Sequence, residues 1–137
     1  AYYLAKFMAE YFSKITDRKD FEVVPVPIFP KREKKRKYNH MNLTGEEFCR
    51  ITSSTLNTEL IKRIKDTKPQ YKLKRNERMK NLENAFEVDK TKYHGKTLLL
   101  IDDICTTGST FEAMIKELKR NGIDDIICFA ATTPFEE

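Results

Sequence analysis

Apolar residues recur along this 137-residue chain with helical and strand periods in alternation, which predicts alternating helices and strands. The first helix is predicted by apolar residues at i, i+3 and i+4 spacing: Leu4, Phe7, Met8, Tyr11, Phe12 and Ile15. Residues 21 to 28 follow as a strand that ends among prolines. Further strands are predicted over residues 60 to 64 and 125 to 131. Residues 66 to 86 are predicted to be a polar loop with one or two helical turns.

Two more helices are predicted to begin at capping boxes, in which Ser or Thr is followed three residues later by Glu. Thr44 and Glu47 form the first box, and Ser109 and Glu112 form the second. The helix after Thr44 is expected to place four residues inward: Phe48, Ile51, Thr55 and Leu56. The helix after Ser109 is expected to end at the Asn-Gly pair of residues 121 and 122.

A run of four apolar residues from Leu98 to Ile101 has the pattern of a strand that is buried on both faces. Two carboxylates, Asp102 and Asp103, are expected to end this strand, and a hydroxyl-rich turn leads into the next helix. The alternation of elements predicts an α/β fold in a single domain of residues 1 to 137, with a parallel sheet and helices on both faces. In such sheets, ligands bind beyond the carboxyl ends of the strands.

The turn after the two carboxylates combines residues that suit a sugar phosphate. Its helix start offers unsatisfied N–H groups to a phosphate, and Gly108 permits positive φ and a close approach to the anion. Four side chains add hydroxyl donors: Thr106, Thr107, Ser109 and Thr110. Asp102 and Asp103 would repel phosphate but accept hydrogen bonds from vicinal hydroxyls. The pattern therefore indicates a ribose 5-phosphate, although a buried strand ending in a solvated acidic turn is the simpler alternative.

Residues 98 to 110 resemble the phosphoribosyl pyrophosphate (PRPP) signature of type I phosphoribosyltransferases. The resemblance implies a type I phosphoribosyltransferase-like sheet, in which Asp102 and Asp103 hold the ribose hydroxyls. It also implies that the turn and the helix start hold the 5-phosphate, through residues Thr106, Thr107, Gly108, Ser109 and Thr110.

Positive charge is concentrated in the middle of the chain. Residues 31 to 80 contain 16 of the 26 basic residues and 6 of the 21 acidic ones, a net charge of +10. Such asymmetry indicates a polyanionic partner or a polyphosphate ligand, although a solvated surface would have the same composition. The candidates for binding pyrophosphate or DNA are Lys31, Arg32, Arg36, Lys37, Lys74 and Arg78.

Three further blocks resemble the ComF (ComFC) branch of these proteins: Val-Pro-Val-Pro at 24 to 27, the basic segment 30 to 40, and residues 67 to 86. The third block matches at Thr67, Gln70, Arg78, Asn81, Ala85 and Phe86. Lys37 stands where the family usually has glycine, and His40 where it has glutamine. The resemblance implies a role in natural transformation, in handling imported single-stranded DNA with partners from the DNA-uptake machinery. The family's four-cysteine zinc module is not visible in this sequence.

Three functions stay open at this stage. An enzyme would use PRPP with Mg²⁺ and transfer ribose 5-phosphate to a base, with Asp102 and Asp103 as the catalytic residues. The Mg²⁺ would be held through PRPP, and the same two carboxylates are its candidate protein ligands. Alternatively, the chain handles single-stranded DNA, or it is a PRPP sensor that binds nucleic acid without turnover.

Composition indicates a globular protein, with 39% hydrophobic and 34% charged residues and no apolar run of membrane-spanning length. Its three cysteines, Cys49, Cys105 and Cys128, are far apart and match neither a zinc site nor a disulfide framework. We expect them to be reduced, in a cytoplasmic protein.

Overall fold

Helices and strands alternate along the chain, as the apolar periodicity predicts. The computed structural model describes residues 2–15, 20–28, 40–65, 74–104 and 108–132. In chain order its elements are α1 (Tyr2–Ile15), β1 (Phe21–Pro25), α2 (His40–Thr52), β2 (Thr55–Leu56), β3 (Ile61–Arg63), α3 (Arg75–Leu82), β4 (Phe86–Val88), a 3₁₀ turn (Lys90–Lys92), β5 (Thr97–Ile104), α4 (Ser109–Arg120) and β6 (Ile126–Thr132).

The main sheet is parallel and has the strand order β2-β1-β5-β6. β5 lies inside it, because Leu100 pairs with Val24 of β1 on one side and with Cys128 of β6 on the other. The strand predicted over residues 60 to 64 forms as β3, but it is not part of this sheet. It pairs antiparallel with β4, which lies at the end of the segment predicted as a loop.

Apolar cores cover both faces of the sheet, which confirms the predicted α/β architecture. Leu98 and Leu100 point to one core, shared with α4 and the β3–β4 pair, whereas Leu99 and Ile101 point to the other, shared with α1 and α2. All four side chains are completely buried. The apolar run is continuous because alternate residues of a strand face opposite sides and both sides here are covered.

The first helix forms as predicted, but its buried face differs from the predicted stripe. Met8 and Phe12 lie in the core together with two alanines, Ala5 and Ala9. Phe7 and Tyr11 of the predicted stripe are instead more than half exposed. The small alanine side chains are compatible with the close packing of α1 against α2, and Tyr11 stacks on Phe129 of β6 with ring centres 5.9 Å apart.

The predicted start of α2 is wrong. The helix already begins at His40, and Thr44 lies one turn inside it with a fully buried side chain, so Thr44 is not a capping residue. Glu47 is paired with Arg50 at 2.8 Å and does not reach back to the helix start.

The predicted inward face of α2 is only partly correct. Phe48 is buried, but Ile51 is exposed, and the helix ends at Thr52, so that Thr55 and Leu56 form β2. The helix approaches the sheet closely at Gly45, where an added Cβ would lie 2.8 Å from Pro25 Cγ. This close approach places the middle of α2 at the carboxyl end of β1.

Candidate functional site

The acidic pair lies at the carboxyl end of the central strand β5. Asp102 is half-buried and is in register with Ala130 of β6. The strand continues to Ile104, so the two carboxylates belong to it rather than ending it, because β6 continues the pairing as far as Thr132. Asp103 follows Asp102 in the same strand, and its side chain lies outside the described residues. The backbone of the acidic pair thus lies at the carboxyl edge of the sheet, where the pair is predicted to be.

The turn reaches α4 through Gly108, which has left-handed backbone angles of φ 77° and ψ 4°. This glycine is the N-cap residue, and its carbonyl accepts a hydrogen bond of 2.8 Å from the Glu112 amide. The predicted capping box is therefore wrong, because Ser109 is already the first helical residue and is buried. A glycine N-cap has no side chain with which to cap the helix, and the positive end of the α4 dipole lies at this position.

Four predicted ligand residues are described: Asp102 lies near the end of β5, and Gly108, Ser109 and Thr110 lie at the start of α4. Thr106 and Thr107 lie between them in the chain but outside the described residues. Thr110 is half-buried in the first turn of α4. The described part of the site therefore consists of the end of β5 and the start of α4, on either side of residues 105 to 107.

The basic candidates are only partly described. Lys74 is exposed at the start of α3, and Arg78 lies within that helix, with a side chain outside the described residues. The other four also lie outside the described residues: Lys31, Arg32, Arg36 and Lys37. The chain enters their segment beside the site, because the Val26 amide donates a hydrogen bond of 2.9 Å to the Ile101 carbonyl.

Sequence reasoning missed a polar cluster around Glu22 in β1. The side chain of Glu22 is only 1% exposed, and its Oε2 lies 2.9 Å from Nδ1 of His94. This cluster lies near the amino end of β1, opposite the acidic pair. The sequence does carry one signal for this cluster: a carboxylate stands between the apolar residues Phe21 and Val23, in a strand that has no exposed residue.

The matching family model is that of the phosphoribosyl transferase domain, over residues 45–133. The chain belongs to the phosphoribosyltransferase family. The match spans β5, the acidic pair, the turn and α4, and it confirms the fold that the signature implies.

Curated relatives confirm the resemblance to the ComF proteins. Competence protein F of Haemophilus influenzae is 33% identical over 76% of this chain. Competence protein ComFC of Bacillus subtilis is 32% identical over 81% of the chain, and DNA utilization protein YhgH of Escherichia coli is 31% identical over 73%. The matched part of this chain spans less than half of each relative: 46%, 43% and 44% respectively.

Among solved structures, the allosteric regulatory enzyme of purine biosynthesis superposes with a TM-score of 0.61. The superposition covers 98% of this chain and 26% of that one at 12% identity, so the similarity shows the fold alone.

None of the helices in the described part of the chain is long and apolar enough to span a membrane. Within the same residues, no group of three or more His, Cys, Asp and Glu side chains is arranged to hold a metal ion.

Proposed function

We propose that the chain binds PRPP beside β5 and that it handles single-stranded DNA during DNA uptake. One observation supports the PRPP site most strongly. The half-buried Asp102 and the left-handed Gly108 are separated by only five residues in the chain, at the carboxyl end of a central parallel strand. This edge is where α/β sheets bind their ligands.

Each part of PRPP has a chemically matched partner at this site. The carboxylates of Asp102 and Asp103 would accept hydrogen bonds from the two ribose hydroxyls. The 5-phosphate would bind the first amides of α4, with further hydrogen bonds from the hydroxyl groups of residues 106 to 110. Gly108 lets the backbone approach the phosphate without interference from a Cβ atom.

A magnesium ion fits the oxygen donors at this edge. Mg²⁺ keeps several water ligands and is usually bound by one or two carboxylates together with substrate phosphates. The half-buried carboxylate of Asp102 is such a donor, and Asp103 is the second candidate. When bound, the ion would neutralise part of the pyrophosphate charge, while Asp102 and Asp103 orient the ribose.

The basic segment after β1 supplies the proposed partners for pyrophosphate or DNA phosphates: Lys31, Arg32, Arg36 and Lys37. Its position supports this role, because β1 lies beside β5 and Val26 is hydrogen-bonded to Ile101, the residue before Asp102. Lys74 and Arg78 would add positive charge from the start of α3. Arginine side chains are suited to forked contacts with phosphate oxygens.

The role in DNA uptake is supported by the relatives, whose names refer to competence and to DNA utilization. We place this role in the cytoplasm, in contact with the DNA-uptake machinery. Neither described cysteine, Cys49 or Cys128, forms a disulfide, which suits a reducing compartment.

Calorimetric titration of PRPP with Mg²⁺ tests the sugar-phosphate site. The variant with Asp102→Asn and Asp103→Asn is expected to lose detectable PRPP binding, because an amide replaces each carboxylate acceptor. The matched control carries Asp124→Asn and Glu87→Gln, two exposed carboxylates away from the carboxyl edge of the sheet, and should bind as the wild type does. Unchanged affinity in the Asp102/Asp103 variant would refute the site assignment.

Fluorescence anisotropy with a labelled 20-nucleotide single strand tests the DNA-handling role. Replacing Lys34, Lys35 and Lys37 with Glu should weaken binding and flatten its dependence on salt, since each neutralised phosphate contributes about 0.7 to the logarithmic slope. A wild-type chain that does not bind the strand would refute this role and leave the PRPP site unaffected.

Transfer of ribose 5-phosphate is a second candidate function, favoured by membership of the transferase family. Asp102 and Asp103 would then also stabilise the positive charge that develops on the ribose as pyrophosphate leaves. Incubation with PRPP, Mg²⁺ and a panel of nucleobases should release pyrophosphate above the background hydrolysis. Release at the background rate with every base would favour binding without turnover.

A further inference from the structure

A cavity of about 400 Å³ lies between α3, the turn before β4 and the second half of α4. Its floor is apolar and is formed by Leu82, Ala85 and Phe86, which are each almost fully buried. These residues belong to the core that β5 shares with α4 and the β3–β4 pair. The size lies within the range of pockets that hold small ligands. Ala113 of α4 is half-buried and adds apolar surface to the lining.

Two facing helices supply the polar rim of the cavity. Asn76 and Lys80 are four residues apart and line it from α3, whereas Lys116 and Arg120 are four residues apart and line it from α4. Residues at this spacing lie on the same side of a helix. Asn84 adds a third contribution, from the turn that joins α3 to β4.

The rim is net positive. Lys80 and Lys116 have no ion-pair partner in the part of the chain that the structure describes. Arg120 is paired with Glu117, at 2.9 Å, so these two charges largely cancel. Glu83 is the other carboxylate of the lining, and it is exposed. Among the lining residues, one unpaired carboxylate is thus outnumbered by two unpaired ammonium groups.

A further cation contacts a residue of the floor. The guanidinium carbon of Arg63, which does not itself line the cavity, is 5.0 Å from the centre of the Phe86 ring. The ring therefore has a cation against it in addition to the two lysines at the rim.

The cavity is distinct from the proposed PRPP site. Gly108 caps α4, whereas Lys116 lies eight residues further along the same helix. At 1.5 Å per residue the two positions are about 12 Å apart along the axis. A ligand at the helix start therefore leaves the cavity free for a second one.

We propose that this cavity is a nucleotide-binding site for single-stranded DNA, with one base on the apolar floor and the adjacent phosphates on Lys80 and Lys116. The inference rests on the proposed DNA-handling function and gives that function a location. The amides of Asn76 and Asn84 and the carboxylate of Glu83 match the donors and acceptors of a base edge.

The combination of groups favours a single strand over a duplex. A base reaches the floor of this cavity only if it leaves its stack, which is cheapest in a strand that is already unpaired. Contact with successive phosphates from two facing helices also favours a strand over a free nucleotide, which has one phosphate position. Lys80 is the last basic residue of the positive region 31 to 80, so the cavity adjoins the part of the chain with the highest net charge.

The test compares two variants that lose the same charge. One carries Lys80→Gln and Lys116→Gln in the cavity, and the control carries Lys90→Gln and Lys96→Gln, which are exposed and do not line it. Anisotropy titrations use a labelled 20-nucleotide dC strand, the matching duplex and dCMP as competitor, across a salt series. Calorimetry with PRPP and Mg²⁺ on both variants shows whether the fold and the other site are intact.

We expect the cavity variant to bind the strand about tenfold more weakly than the control at low salt. Its salt slope should fall by about 0.7 for each lysine that contacts a phosphate. PRPP affinity should be unchanged in both variants. The duplex and dCMP should each bind at least about tenfold more weakly than the strand.

Equal losses in the two variants would overturn the cavity assignment while leaving DNA binding itself established. Equal affinity for the strand and dCMP, or for the strand and the duplex, would also overturn it. Failure of the wild-type chain to bind any strand would refute both this inference and the DNA-handling function.

Discussion

The amide of Asn57 donates a hydrogen bond of 2.6 Å to Oε1 of Glu22, a carboxylate buried in β1. The same amide group donates to the Lys92 carbonyl at 2.8 Å, and His94 lies against the other carboxylate oxygen. These contacts join the first strand to the connection after β2 and to the segment before β5. A charge buried without such partners would be strongly destabilising.

Replacing Asn57 with alanine should lower the free energy of unfolding by about 2–4 kcal/mol. The substitution removes one partner of the buried Glu22 carboxylate, and it also removes the acceptor for the backbone amides of Glu59 and Leu60. Urea denaturation followed by circular dichroism measures this loss. Thr58→Ala, an exposed neighbour, should change the stability by less than about 0.5 kcal/mol. Equal stability of the two variants would show that the buried cluster contributes little.

Gly108→Ala should weaken PRPP binding as well as stability. Alanine in the left-handed conformation costs about 1–2 kcal/mol, and its Cβ would stand where the phosphate approaches. Gly95 has the same φ of 77°, and no atom lies within 4 Å of an added Cβ. Gly95→Ala is therefore the matched control, with a similar loss of stability and unchanged PRPP affinity by calorimetry. If both variants bind PRPP equally, the backbone at Gly108 does not contact the ligand.

Cys49 should be alkylated far more slowly than Cys128 at pH 8. Burial raises the pKa of the Cys49 thiol from 9.0 to about 11, against a smaller opposing effect of the hydrogen bond with Ser54. A shift of this size lowers the thiolate fraction about a hundredfold at a pH below both values. Cys128 is exposed on β6.

Iodoacetamide labelling followed by peptide mass spectrometry assigns the reaction to each cysteine, including Cys105, which lies outside the described residues. The control is the same labelling in about 6 M urea, a concentration chosen to unfold the protein. Cys49 and Cys128 should then react at similar rates. Equal rates in the native protein would mean that Cys49 is not protected by the fold.

Gly45→Ala should destabilise the chain even though alanine is the better helix former. The new Cβ would lie 2.8 Å from Pro25 Cγ and 2.9 Å from Leu56 Cδ1, so α2 or the sheet must shift. Overpacking of this kind costs about 1–3 kcal/mol, which exceeds or matches the gain of about 1 kcal/mol in helix propensity. Glu46→Ala, on the exposed side of the same helix, should be neutral or slightly stabilising in urea denaturation. A Gly45→Ala variant more stable than Glu46→Ala would contradict the close packing.

Sequence reasoning succeeded where the signal is a local pattern. The run Leu98 to Ile101 predicts a strand covered on both faces, and all four residues are buried. It failed at both capping boxes, because the spacing of Thr44 and Glu47, or of Ser109 and Glu112, also occurs inside the first turns of a helix. The backbone decides where each helix begins, and at α4 this is the left-handed Gly108.

The partners of the buried Glu22 could not be predicted for a different reason. Asn57 and His94 are 35 and 72 residues away in the chain, so no local window contains them. The cavity beside α3 is similar, because its lysines come from two helices that only the tertiary fold brings together. The roles of the basic residues between β1 and α2 stay predictions.

The connection between β1 and α2 is flanked by two positions held against the sheet: Val26 by its hydrogen bond to Ile101, and Gly45, within α2, by close packing. Doubling the length of a connection whose ends are held costs only about 0.6 kcal/mol in closure entropy. Evolution can therefore lengthen, shorten or recharge residues 29 to 39 with little penalty to the scaffold. Paralogues should diverge in this segment first, acquiring new anionic substrates on an unchanged frame.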